Sequence, residues 1–76
     1  MKYMMIELLT SKDSNKIFVF SPNKKEEISD EESSLKKAKE IIGHFKLLGW
    51  ILVSEETLLD TKDINHYVWI LSKENI

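Results

Sequence analysis

The chain has 76 residues, with eleven lysines, no arginine, thirteen acidic residues and a formal net charge of −2 at pH 7. This length allows a single domain over residues 1–76 with a small core, and the absence of cysteine excludes disulfides and thiolate metal sites. The near-balanced charge and the lack of the arginine fork make nucleic acid an unlikely partner.

No apolar run reaches the roughly 20 residues that span a bilayer, and we expect no membrane association. The short apolar run after Lys2 contains Glu7 and lacks a small-residue cleavage site, so we do not expect it to be a signal peptide. We therefore expect a cytoplasmic protein. Gly, Ala, Pro and Arg total four residues while Lys, Ile and Asn total twenty-four, which indicates an AT-rich coding sequence of a low-GC bacterium or phage. That bias can explain the lysine-only usage without functional selection.

The first third of the chain predicts a β-hairpin. Residues 2–9 and 16–20 are rich in apolar and β-branched side chains, and the polar segment 10–15 between them is made of turn formers. Pro22 ends the second strand because proline cannot continue a central ladder. Residues 24–27 carry two lysines followed by two glutamates, and we expect them to be a solvated charged segment rather than a phosphate-binding track.

A helix follows the charged segment. Ser29 and Glu32 fit a capping box at its start, and Gly49 fits the position just after its end. Gly43 lies inside the helix and costs about 1 kcal/mol relative to alanine, with close approach of another backbone as one explanation. The apolar residues recur at steps of three and four, as on one helix face: Leu35, Ala38, Ile41, Ile42, Phe45 and Leu48.

Two further strands are predicted after the helix, at residues 50–54 and 66–72, with a long acidic loop at residues 55–65 between them. The expected fold is α+β with the order ββαββ: a four-stranded, mainly antiparallel sheet with one helix packed on one face. A right-handed crossover would make strands two and three parallel, and the order 2-1-3-4 satisfies this. We detect no internal repeat in the sequence.

The strands are apolar at consecutive positions, whereas a half-buried strand alternates apolar and polar side chains. Both faces of the sheet are therefore predicted to be apolar, and one helix covers only one of them. Burying about eight large side chains on the other face gives roughly 12–24 kcal/mol against an association cost of about 4–15 kcal/mol, which favours a homodimer. We expect the interface among the apolar and aromatic strand residues Tyr3, Met5, Phe18, Phe20, Trp50, Tyr67 and Trp69.

The segment 38–76 carries Gly49-Trp50, then Leu52-Val53-Ser54, then the aromatic strand residues 67–69. In these features it resembles a family of short uncharacterised bacterial and phage domains, in which an amphipathic helix leads through Gly-Trp into a Leu-Val-Ser strand. The resemblance covers about half the chain and implies a fold but little mechanism. The hairpin before the helix departs from the family's simplest form, which has one strand there.

Catalytic chemistry has little support in the sequence. Glu40 and His44 are four residues apart on the polar side of the helix, but an exposed helical pair explains them without a metal or acid–base site. The acidic residues 55–63 lack the glycine that a calcium loop requires. We therefore expect no enzyme activity, no catalytic residue, no metal site and no cofactor.

The leading hypothesis is a small protein-interaction module that pairs through an open sheet face or a sheet edge. An accessory protein of a phage or low-GC bacterium that binds a host protein is one form of it. A nucleic-acid-binding module that uses sheet aromatics and lysines is the first alternative. A small-ligand binder with a pocket at a subunit interface is the second.

Overall fold

The computed structural model describes residues 1–29 and 35–74 of the chain. These residues form one five-stranded antiparallel sheet in the order β3-β2-β1-β5-β4, with a single helix against one face. The elements in chain order are β1 (Lys2–Thr10), β2 (Asn15–Ser21), β3 (Lys24–Ser29), α1 (Leu35–Leu47), β4 (Ile51–Asp60) and β5 (Asn65–Lys73). The α+β class, the single helix and the antiparallel sheet are confirmed, but the sheet has five strands rather than four.

The extra strand is the charged segment after Pro22. β3 pairs with β2 from Ser21 opposite Lys24 to Lys16 opposite Ser29. Residues 24–27 are exposed, as expected of a solvated charged segment, but they also pair as a strand. The predicted helix start at Ser29 is wrong, because Ser29 is the last residue of β3. Glu32 of the predicted capping box lies outside the described residues. Charged side chains suit an edge strand because they discourage pairing with other chains.

β4 is twice as long as predicted. It continues through Asp60, and the predicted acidic loop is mostly strand. Register shifts between Leu52 and Ser54 and between Thr57 and Leu59 let this strand absorb two extra residues while it stays paired with β5. The predicted order 2-1-3-4 is also wrong, because the last strand, β5, lies beside β1 and β4 takes the sheet edge. The strands predicted as second and third, β2 and β4, are antiparallel rather than parallel, because β3 intervenes before the helix. The strands that flank the helix, β3 and β4, are parallel but lie at opposite edges.

Two hairpin tips have similar sequences. Residues 8–15 read Leu-Leu-Thr-Ser-Lys-Asp-Ser-Asn, and residues 58–65 read Leu-Leu-Asp-Thr-Lys-Asp-Ile-Asn. In each tip a hydroxyl side chain closes the turn: Ser11 Oγ accepts the Ser14 N–H at 3.1 Å, and Thr61 Oγ1 accepts the Ile64 N–H at 2.9 Å. The statement that the chain has no repeat is therefore wrong for these segments, which have the same turn chemistry.

The helix ends just before Gly49, as the sequence predicts. Gly49 has φ 99°, its N–H donates to the Lys46 carbonyl at 3.1 Å, and the Trp50 N–H donates to the Phe45 carbonyl at 3.1 Å. This pair of bonds is a Schellman motif, which needs a left-handed residue at the position of Gly49. Gly43 differs, since a Cβ built on it would meet no atom within 4 Å. Close approach of another backbone within the chain therefore does not explain Gly43.

The core lies between α1 and one face of the sheet. Residues opposite each other on neighbouring strands share a face, and Ile6 lies opposite both Val19 and Trp69 in the buried row. Trp69 is 2% exposed. The buried apolar residues are Met4, Ile6, Leu8, Ile17, Val19, Ala38, Ile42, Trp69 and Leu71. The residues that alternate with these core residues along each strand therefore face away from the helix.

Candidate interaction face of the sheet

The side of the sheet opposite α1, here called the open face, is predominantly apolar along its three central strands. Its apolar side chains come from the positions that alternate with the core residues. They are Tyr3, Met5 and Leu9 on β1, Phe18 and Phe20 on β2, Val68 and Ile70 on β5, and Ile51 and Leu59 on β4. No described segment of the chain packs as a second layer on this side.

The cross-strand register arranges these side chains in rows. Phe20, Met5 and Ile70 lie opposite one another on β2, β1 and β5 and form an apolar row. Each is partly buried by its neighbours in the sheet. Tyr3, at the end of β1, is 58% exposed, and Ile51, on β4, is 63% exposed. The apolar row thus runs across the sheet from β2 to β5, and Ile51 adds an exposed apolar side chain on β4.

Two aromatic rings and a lysine make up the part of the open face nearest β3. The Phe18 and Phe20 ring centroids are 6.2 Å apart, with their planes inclined by 29°. Lys25 Nζ lies 5.3 Å from each centroid, within the range of a cation–π contact. Since Lys25 is itself exposed, its ammonium lies over the rings but leaves them accessible to a partner surface.

The next row of the open face is mixed in polarity. Glu27, Phe18, Glu7, Val68 and Glu56 follow one another across the strands from β3 to β4. The rim carboxylates, Glu27 and Glu56, are exposed, whereas the central one, Glu7, is half-buried. The open face is therefore apolar with one acidic row across it.

A histidine lies against the central carboxylate. His66 Nε2 is 2.7 Å from Glu7 Oε2, and the two side chains are 24% and 21% exposed respectively. β1 and β5 bring them together because Glu7 lies opposite Val68, two residues along β5 from His66. The two residues are 59 positions apart, so no local sequence pattern predicts this contact.

Four of the seven predicted interface residues come together on the open face: Tyr3, Met5, Phe18 and Phe20. The other three lie on the helix side. Tyr67 and Trp69 stack there with centroids 6.0 Å apart, and Trp50 packs edge-to-face against Phe45 at 6.5 Å.

Tyr67 and Trp69 of β5 lie on the helix side because their phase of the strand meets α1, which the sequence alone does not reveal. The positions between them, Val68 and Ile70, occupy the open face instead. Strict alternation from Trp69 would have found both, once Trp69 is known to be buried.

Other features of the chain form no comparable site. Glu40 and His44 lie on the exposed side of α1 and line a groove of about 300 Å³ between α1, β2 and β3. The apolar part of that groove is Val19, Ile28, Ile41 and Phe45. Within residues 1–29 and 35–74, no three His, Cys, Asp or Glu side chains cluster as metal ligands would.

Comparison of the chain with protein-family models, curated proteins and solved structures finds no match. The resemblance of the segment 38–76 to short bacterial and phage domains therefore stays a prediction. No helix among the described residues is long and apolar enough to cross a membrane.

Proposed function

We propose that this protein is a non-enzymatic interaction module that forms a homodimer by packing two open faces against each other. One observation carries the proposal: the row of Phe20, Met5 and Ile70, with its apolar neighbours, has no covering layer within the described chain. Soluble monomers rarely carry contiguous apolar patches beyond a few hundred Å². A second copy is a partner that supplies a surface of matching shape and polarity.

The size of the open face is sufficient for a specific dimer. Five strands spaced about 4.8 Å apart, each contributing about seven residues at roughly 3.4 Å per residue, give a face of about 600 Å². Two such faces bury about 1,200 Å² in total, which is the lower end of the range for stable protein complexes. Sheets that pack face to face in this way lie about 10 Å apart with interdigitated side chains.

The composition of the open face also suits an interface. Aromatic and methionine side chains are enriched in interface cores, while charged side chains concentrate at the rim. Here Phe18, Phe20 and Met5 are central, and the exposed Lys25 and Glu56 lie towards the two edges. Binding of a host protein by an accessory protein of a phage or low-GC bacterium is a narrower form of the same proposal, with the host protein in place of the second copy.

Sedimentation equilibrium of the purified chain tests the proposal. We expect a mass that rises with concentration to twice the 8.9 kDa of one chain. The variant Met5→Lys, which places a charge in the central apolar row, should remain monomeric over the same concentrations. A matched control is Lys39→Met, on the exposed side of α1, which should associate like the native chain. A folded native chain that stays monomeric at every soluble concentration would contradict the proposal.

The pair Phe18 and Phe20 with Lys25 favours a second candidate function, the binding of single-stranded nucleic acid. Aromatic rings on a sheet stack with bases, and a lysine beside them contacts phosphate. The acidic row of Glu7, Glu27 and Glu56 opposes it by repelling phosphates. Fluorescence anisotropy with a labelled single-stranded oligonucleotide at low salt distinguishes the two candidates, because nucleic-acid binding would weaken steeply as salt is added. We expect no binding.

A further inference from the structure

The Glu7–His66 pair is the only contact between two ionisable side chains that the described residues place at the centre of the open face. Its two atoms are 2.7 Å apart, and each side chain is less than a quarter exposed. Phe18 and Val68 lie opposite Glu7, and Leu9 lies opposite His66. The pair is thus set among apolar side chains that a second open face would cover.

The charge of this pair depends on one proton. With one proton bound, as carboxylate and imidazolium or as carboxyl and imidazole, the pair has no net charge. Without that proton it carries one negative charge. Imidazole is the side chain that changes charge between about pH 5 and pH 8, and a proton shared by two groups in contact belongs to the pair.

The surrounding charges do not compensate a deprotonated pair. Glu56 on β4 lies in the same row and adds negative charge. Lys16 on β2 lies opposite Leu9 in the next row, and Lys25 on β3 lies over the phenylalanine rings; both lysines are exposed. Covering the open face would therefore remove from water either a neutral pair or a negative charge that has the carboxylate of Glu56 in the same row. The second is far more costly.

We infer that dimerisation through the open face is coupled to the uptake of one proton by each Glu7–His66 pair, so that falling pH strengthens the dimer. This inference rests on the proposed function. A two-fold symmetric interface buries the same pair from both copies, so each dimer takes up two protons. Because association binds protons, the dimer dissociation constant should fall as the pH falls from about 8 to about 6. The limit for two linked protons is about 100-fold per pH unit, and we expect at least about tenfold over the whole range.

Sedimentation equilibrium at pH 8, 7 and 6 tests the coupling with three variants. His66→Gln should remove the pH dependence and leave the weak dimerisation that the native chain has at pH 8. Glu7→Gln should invert it, because a proton on His66 would then bring an uncompensated positive charge into the interface. His44→Gln, a change to the exposed histidine on α1, is the control and should keep the native pH dependence.

The inversion in Glu7→Gln separates this coupling from a general effect of net charge. A net-charge effect would strengthen association at lower pH in every variant, including Glu7→Gln. A native dimer whose dissociation constant is the same at pH 8 and pH 6 would overturn the inference while the proposed function stands. A native chain that is monomeric at every pH would overturn the proposed function, and the coupling with it.

A second measurement needs no variant. Calorimetric dilution of the native dimer in phosphate and in Tris buffers at pH 7 gives the number of protons released on dissociation, since the two buffers differ in ionisation enthalpy. We expect a net release by the protein. Equal heats in the two buffers would overturn the coupling.

Discussion

Two neighbouring residues of β2 allow the core and the proposed interface to be perturbed separately. Ile17 is fully buried in the core on the helix side of the sheet, while Phe18, the next residue, lies on the open face. We predict that Phe18→Glu disrupts dimerisation and that Ile17→Ala disrupts folding. The two variants therefore test whether the two faces of one strand have different functions.

The magnitudes follow from what each side chain contacts. Burying a phenylalanine is worth about 1.5–3 kcal/mol, so losing one from each copy weakens the dimer by about 3–6 kcal/mol. This corresponds to a dissociation constant higher by roughly 100-fold to 20,000-fold. Ile17→Ala leaves a cavity and costs about 2–5 kcal/mol of folding free energy. A domain of this size has about 4–11 kcal/mol in total, so that loss is a large part of its stability.

The assay combines sedimentation equilibrium with thermal unfolding followed by circular dichroism. For Phe18→Glu we expect a folded monomer. For Ile17→Ala we expect a melting temperature lower by at least about 8 °C, with native dimerisation in the fraction that remains folded. Native-like dimerisation of Phe18→Glu would refute the assignment of the open face. A large loss of melting temperature for Phe18→Glu at concentrations where the native chain is itself monomeric would show that Phe18 belongs to the core.

Three further substitutions test the fold, each by thermal unfolding. Gly43→Ala should stabilise the protein by about 1 kcal/mol, because the site has room for a Cβ and alanine favours helix; a destabilised variant would mean that the backbone there needs glycine. Gly49→Ala should cost about 1–2 kcal/mol, because residue 49 has a positive φ; an unchanged melting temperature would contradict the helix end described above. Trp69→Ala should cost about 3–5 kcal/mol because the ring is buried in the core; a variant as stable as the native chain would place Trp69 on a surface.

The parts of the fold that follow a local rule were predicted from the sequence. The amphipathic stripe of α1 and the glycine at its end depend on residues a few positions apart, so Ala38, Ile42 and Gly49 lie where the pattern placed them. The uncovered sheet face was also expected, since apolar residues at consecutive strand positions leave an apolar set on each side.

The parts of the fold that the sequence did not predict depend on pairing between residues that are distant in the chain. β3 carries Lys24 to Glu27 with one strongly apolar residue, Ile28, and only its pairing with β2 makes it a strand. β4 was cut short because two register shifts break the alternation that identifies a strand. Which alternate residues of β5 lie on the open face depends on which side of the strand meets α1. The sequence does not show whether Trp69 or its neighbours Val68 and Ile70 occupy that face. The contact between Glu7 and His66 needs the β1–β5 pairing and has no local signal.

Isotope-filtered NMR of a mixture of labelled and unlabelled chains tests the central claim most directly, because it detects contacts between copies residue by residue. We predict intermolecular NOEs between the Phe18 and Phe20 rings of one copy and the methyl groups of Met5, Val68 and Ile70 of the other. Core methyl groups such as those of Ile6 should show none. Intermolecular NOEs confined to α1 or to the edge of β4, or a complete absence of them at concentrations where the native chain is fully associated, would contradict the account.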